Sequence, residues 1–141
     1  MKRNLRAFTL IELMVVILIL AILAALVVPN VLGRTGQAKI SKAKSDLSEF
    51  SSAIDQFRLD CDRYPTTQEG LGALITPPSG VNGYHGPYLK KSEIPNDPWG
   101  NPYQYSQPGP SGGGYQVMSY GADGAPGGSG DNEDITDGSD S

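Results

Sequence analysis

One apolar run near the start of the chain limits what the rest of it can become. Between Phe8 and Val28 only Thr9 and Glu12 are polar, and from Leu13 to Val28 every side chain is aliphatic or Met14. About 20 apolar residues at 1.5 Å per residue are enough to cross a hydrocarbon core of about 30 Å, so the run reads as a membrane-spanning helix. Lys2, Arg3 and Arg6 precede it and no acid does. That asymmetry keeps the leading end cytoplasmic and sends the remainder across the membrane. An ordinary secretory signal has a shorter apolar core and a small-residue cleavage site behind it, whereas Val27-Val28-Pro29-Asn30 follows here. From these features alone the segment is a signal-anchor helix, with one discordant residue. A carboxylate within hydrocarbon costs about 2.5–3.5 kcal/mol on insertion scales, so Glu12 needs a partner or a task unless it snorkels to the nearby interface.

The residues around Glu12 supply a task. Arg6-Ala7-Phe8-Thr9-Leu10-Ile11-Glu12 resembles the class III signal of type IV pilins and pseudopilins. The resemblance implies that residues 1–7 are a leader, cut between Ala7 and Phe8 on the cytoplasmic side by a prepilin peptidase, and that the new Phe8 amine is N-methylated. Glu12 is then the fifth residue of the mature chain and Pro29 the twenty-second, both matching the family; Ala7 departs from it, standing where the family carries Gly. Removal of the leader takes away all three basic residues and leaves a cation at Phe8. A buried carboxylate is tolerable once paired, and the resemblance gives Glu12 the role of neutralising the Phe8 amine of a neighbouring subunit in a helical polymer.

About 110 residues remain beyond the apolar run, enough for one modest core. All 18 glycines lie from Gly33 onward, with 10 of the 11 prolines, which predicts a loop-rich second half without a repeat. Pro29 is expected to kink or loosen the helix, with Gly33 and Gly36 weakening it further. Beyond them Ile40, Ala43, Leu47, Phe50, Ile54, Phe57 and Cys61 alternate by three and four, the stripe of an amphipathic helix packed on a core. Lys42, Lys44, Asp46, Glu49, Asp55 and Arg58 fall between them on a solvated or subunit-facing surface. The lone Cys61 excludes an internal disulfide and reads as a small buried hydrophobe.

Thr66 and Glu69 match a capping box opening a short helix of about two turns that Pro77 and Pro78 end. Tyr103–Tyr105 and Tyr115–Met118 alternate as half-buried strands, predicting an antiparallel pair against the long helix, with Trp99 a core anchor under the loop before them. The expected fold is therefore α+β: a long N-terminal helix, transmembrane then amphipathic, packed on a small antiparallel sheet with a C-terminal loop. The expected divisions are a leader at 1–7, a transmembrane and assembly helix at 8–31, and a periplasmic domain at 32–141.

No Lys or Arg follows Lys91, so the last 50 residues offer no basic face to nucleic acid. Their acidic stretch, Asp123, Asp131, Glu133 and Asp134 among glycines and serines, reads either as a disordered tail or as a loop that gains from a shared cation. It lacks the EF-hand spacing. Arg63-Tyr64-Pro65-Thr66-Thr67, Glu69-Gly70-Leu71, Asp97–Tyr103, Ser119–Gly124 and Asp134-Ile135 resemble the major pseudopilin of type II secretion systems. In that family the loop binds one Ca²⁺. Carried over, Asp123 and Asp134 give side-chain oxygens, Tyr120 and Ala125 backbone carbonyls, and the intervening ligand falls on Glu133 or Asn132. Residues after Ile135 are expected to trail into solvent.

With one His, one Cys and no nucleophile–base arrangement, the sequence offers little from which to build an active site. The resemblance implies a structural subunit, not an enzyme: a homopolymer forming a periplasmic pseudopilus. It also implies that an ATPase-driven inner-membrane platform adds subunits, with minor pseudopilins at the tip, and that growth drives exoproteins through an outer-membrane secretin. The rivals are the major subunit of a type IV pilus, against which the absence of a C-terminal disulfide argues, and a monomeric, signal-anchored calcium module.

Overall fold

Helix α1 runs Leu10–Cys61, and one stripe of its second half organises everything that follows. A computed structural model describes residues 8–139, with side chains outside 26–34. The leader, with Ala7, lies outside the described residues, as does the side chain of Pro29. The backbone of α1 is helical through Pro29, Gly33 and Gly36, so any kink or loosening at Pro29 leaves one continuous helix. The chain does divide into two units nearby, one ending at Gly36 and the other beginning at Gln37.

In the first unit the described side chains from Phe8 to Leu23 are apolar almost throughout and all exposed, Val16 the least of the large apolar ones at 45%. Among the described residues no helix is long and apolar enough to cross a membrane.

In the second unit the predicted stripe is the core. Ala43, Leu47, Phe50, Ala53, Ile54 and Phe57 are buried against Leu71, Leu74, Leu89, Tyr103, Tyr115, Val117 and Ile135. Ile40 and Cys61 close the stripe half-buried, and Trp99 packs on the core from its edge without being buried in it. Phe50 meets Tyr103 edge-on with ring centroids 5.0 Å apart, a geometry that adds about 0.5–1.5 kcal/mol to the area buried. Asp46 departs from the solvated face expected of it. It is 4% exposed, because the Tyr103 hydroxyl donates to its Oδ2 at 3.0 Å and the Lys42 ammonium donates to its Oδ1. Burial, and then this hydrogen bond, push the Tyr103 phenol above its ordinary pKa.

The stretch after α1 takes a tighter form than the expected two-turn helix: a turn at 67–70 followed by the 3₁₀ helix Leu71–Leu74. The capping box forms nonetheless, with Glu69 N donating to Thr66 Oγ1 at 3.2 Å and Thr66 N to Glu69 Oε2 at 2.7 Å. Arg63 adds a bidentate pair to the same carboxylate, both contacts 2.7 Å. The Arg63 hydrogen bonds, with help from Thr66, hold the Glu69 carboxyl down to about 2. A carboxyl lowered on folding stabilises the fold above its unfolded pKa of about 4.5, and that stability is lost as pH falls towards 2. Allowing for solvent screening of the partly exposed Arg63, we expect Glu69→Gln to cost about 1–2 kcal/mol at pH 7. The loss should fade between about pH 4.5 and 2, as denaturation curves across that range will check. A loss constant down to pH 2 would contradict the pairing.

Strands β1 (Gln104–Ser106), β2 (Tyr115–Ser119) and β3 (Ile135–Ser139) form one antiparallel sheet in the order β1-β2-β3. Tyr115, Val117 and Ser119 of β2 point to the core while Gln116 and Met118 are half-exposed. The third strand corrects the expectation that the chain trails away after Ile135. Ile135 is buried and pairs with Ser119, and the register continues to Ser139 opposite Tyr115. Gly138 makes this possible, since a Cβ there would come within 2.4 Å of the Tyr115 carbonyl oxygen.

Candidate functional site

The Ser119–Ile135 pair closes the base of the acidic loop, residues 120–134, so both of its ends are fixed by the sheet. Two short 3₁₀ helices, Gly121–Asp123 and Gly130–Asn132, lie within it. Gly121 adopts φ 69°, and a Cβ on it would stand 2.7 Å from the Asp131 carbonyl oxygen and 3.0 Å from that of Glu133. Only glycine lets the two arms of the loop approach so closely. The loop is also tied to the turn before β1. Asn101 Nδ2 donates to the Gly121 carbonyl at 2.9 Å, and Asp97, 4% exposed, accepts the Ser119 hydroxyl at 2.6 Å.

The predicted ligands are distributed unevenly over this frame. Asp123 is exposed and its Oδ1 accepts the Ala125 N–H at 3.2 Å. Asp134 is half-buried; its Oδ2 accepts the Gly127 N–H at 2.9 Å, while its Oδ1 is buried without a hydrogen-bond partner. Tyr120 is half-buried at the start of the first 3₁₀ helix, and Ala125, Asn132 and Glu133 are exposed. Among the described residues no group of three or more His, Cys, Asp or Glu side chains is placed to hold a metal ion. What the loop offers is oxygen, from its four carboxylates and from a backbone folded tightly by glycine. A hard cation such as Ca²⁺ accepts that mixture, and the unsatisfied Asp134 Oδ1 is where such a group fits.

The sequence did not single out Asp97. It accepts N–H groups from Trp99 at 3.1 Å and Asn101 at 2.8 Å as well as the Ser119 hydroxyl. The available signal was the Asp-Pro-Trp-Gly-Asn turn itself, since an Asp opening a turn commonly accepts N–H groups just ahead of it.

At the other end of the chain Phe8 is 79% exposed and Glu12 is exposed, its N–H donating to Thr9 Oγ1 at 3.3 Å. No ion pair reaches the Glu12 carboxylate among the described residues.

Comparison with known proteins separates two regions along the same chain. Residues 2–28 match the family model for the prokaryotic N-terminal methylation motif, and residues 30–138 match that for protein G of the type II secretion system. The chain belongs to the type II secretion system protein G family. One relative in this family, type II secretion system core protein G of Pseudomonas aeruginosa, is 50% identical over 138 residues, covering 95% of each chain. The protein of the same name from Vibrio cholerae is 46% identical over 136 residues, covering 94% of this chain and 91% of its own. Among solved structures, the major pseudopilin of the type 2 secretion system of enterohaemorrhagic Escherichia coli aligns with a TM-score of 0.63 at 38% identity. That alignment covers 78% of this chain and 91% of the other. The protein G match spans the three-stranded sheet and the loop it closes, and the methylation-motif match spans the residues around Phe8.

Proposed function

We propose that the chain is a structural subunit that polymerises into the pseudopilus of a type II secretion system. Its placement in the protein G family supports this reading, and the related proteins named for secretion give no support to the type IV pilus alternative. The family is one of pseudopilins, so the role is structural, not catalytic. The observation that carries the proposal is the apolar surface of the first unit. A helix exposing apolar side chains from Leu10 to Leu23, with one unpaired carboxylate among them, cannot remain so in water. In the membrane, the run from Phe8 to Val28 anchors the subunit in the inner membrane with residues 32–141 in the periplasm. In the polymer the same helices pack together and Glu12 neutralises the Phe8 amine of a neighbour, once a prepilin peptidase has cut after Ala7. Pro29 marks where the helix loosens on assembly. The inner-membrane assembly platform and the minor pseudopilins are the further partners of this reading.

Ca²⁺ is the proposed resident cation of the loop at 120–134. Asp123 and Asp134 would supply carboxylate oxygens, Tyr120 and Ala125 carbonyls, and Glu133 or Asn132 the intervening ligand. When bound, the ion supplies positive charge that cross-links the two arms of the loop, the part a disulfide plays elsewhere.

Glu12→Ala tests the assembly reading. Pseudopili sheared from cells that overproduce the variant should be lost almost entirely, while its membrane level stays near wild type and Glu12→Asp assembles in part. Normal fibres from Glu12→Ala would leave the carboxylate without a role in assembly, as expected of a monomeric anchored module.

A further inference from the structure

The acidic loop has no basic residue within or after it, since no Lys or Arg follows Lys91. The fold supplies one from α1. A cavity of about 200 Å³ beside the loop is lined by Ile40 and Lys44 of α1 together with Gly130, Glu133, Asp134 and Ile135. Buried Ile135 seats the loop against the helix, and Ile40 and Lys44, four residues apart, lie on the same side of it. Lys42 is engaged on Asp46, Lys91 on Glu49 and Arg63 on Glu69. Lys44 makes no ion pair among the described residues, and Asp134, which lines the same cavity, carries the unsatisfied Oδ1. A lysine ammonium on its four-carbon stem is a mobile point charge able to follow such a carboxylate.

We propose that Lys44 is a built-in competitor for the cation of the loop. Resting on the calcium reading above, the proposal gives Lys44 two opposed effects. In the metal-free loop its ammonium offsets the repulsion between Glu133 and Asp134 and keeps the loop seated on α1. In the metal-bound loop the same charge repels the ion, weakens its binding, and sets the calcium concentration at which the loop fills. The two cations thus compete at the Glu133–Asp134 side of the loop, where each offsets part of its negative charge.

The test is calorimetric titration of the full chain in neutral detergent with calcium chloride at low salt, alongside melting in chelator. Lys44→Met should bind calcium about three- to tenfold more tightly, Lys44→Glu more tightly again, and Lys44→Arg within about twofold of wild type. In chelator, Lys44→Met should melt several degrees lower and Lys44→Arg should not. If Lys44→Met binds with unchanged or weaker affinity while the wild type binds calcium, the competitor role is overturned and the calcium reading stands. If the wild type takes up no calcium, the calcium reading falls and the competitor role falls with it.

Discussion

Asp97→Ala is expected to lower the stability of the second unit by about 3–4 kcal/mol, because three buried or partly buried donors lose one acceptor together. Its Oδ1 takes the N–H groups of Trp99 and Asn101, and its Oδ2 takes the hydroxyl of Ser119, a residue with no exposure at all. Water cannot replace the carboxylate at Ser119, so that hydroxyl bears much of the desolvation penalty. For a domain of this size the loss corresponds to a fall in melting temperature of roughly 15–25 °C. It also loosens Asn101, whose amide holds the Gly121 carbonyl, so the damage reaches the acidic loop. Asp97→Asn keeps one acceptor oxygen and should cost only about 1–2 kcal/mol. Trp99 fluorescence during melting is a direct readout, as Trp99 donates one of the three bonds. A change below about 1 kcal/mol for the alanine variant would mean that the turn at 97–101 is held by its backbone bonds alone.

Calcium is expected to raise the melting temperature of the same unit by roughly 10–20 °C when the ion is near one hundred times its Kd, where native-state binding adds about 2.7 kcal/mol. The ion would tie together a loop whose ends are pinned at Ser119 and Ile135 while its middle is held by few bonds. Asp134→Ala should abolish the shift, since it removes the buried Oδ1 that has no protein partner. Asp123→Ala should abolish or largely reduce it. Melting in calcium and then in chelator, read by near-ultraviolet circular dichroism, distinguishes the cases. An equal melting temperature in both would leave the loop without a resident cation and Asp134 Oδ1 without an explanation.

The stripe from Ile40 to Cys61 was legible because helical periodicity is a local property, and each of its members faces the core as its spacing requires. The capping box at Thr66 and Glu69 was legible for the same reason, as three residues suffice to form it. The length of the element it opens was not. Gly70, at φ 60°, tightens the chain into a turn and a 3₁₀ helix. Asp46 was misplaced because periodicity knows nothing of Tyr103, some 57 residues later, whose hydroxyl makes burial of that carboxylate tolerable.

By itself the sequence determined the signal around Phe8 and Glu12, the helix that carries it, the amphipathic stripe, the acidic character of the loop and the absence of a disulfide. These follow from side-chain chemistry at fixed local spacing. Tertiary structure alone decided that Ile135–Ser139 is a strand. Its Asp and Gly have little reason to extend on their own, and the open backbone edge of β2 supplies the hydrogen bonds that hold them. It alone brought Asp97 beneath the loop and Lys44 beside it. Both placements join residues far apart in sequence, and the strength of the Asp97 bonds comes from burial, which no local pattern records.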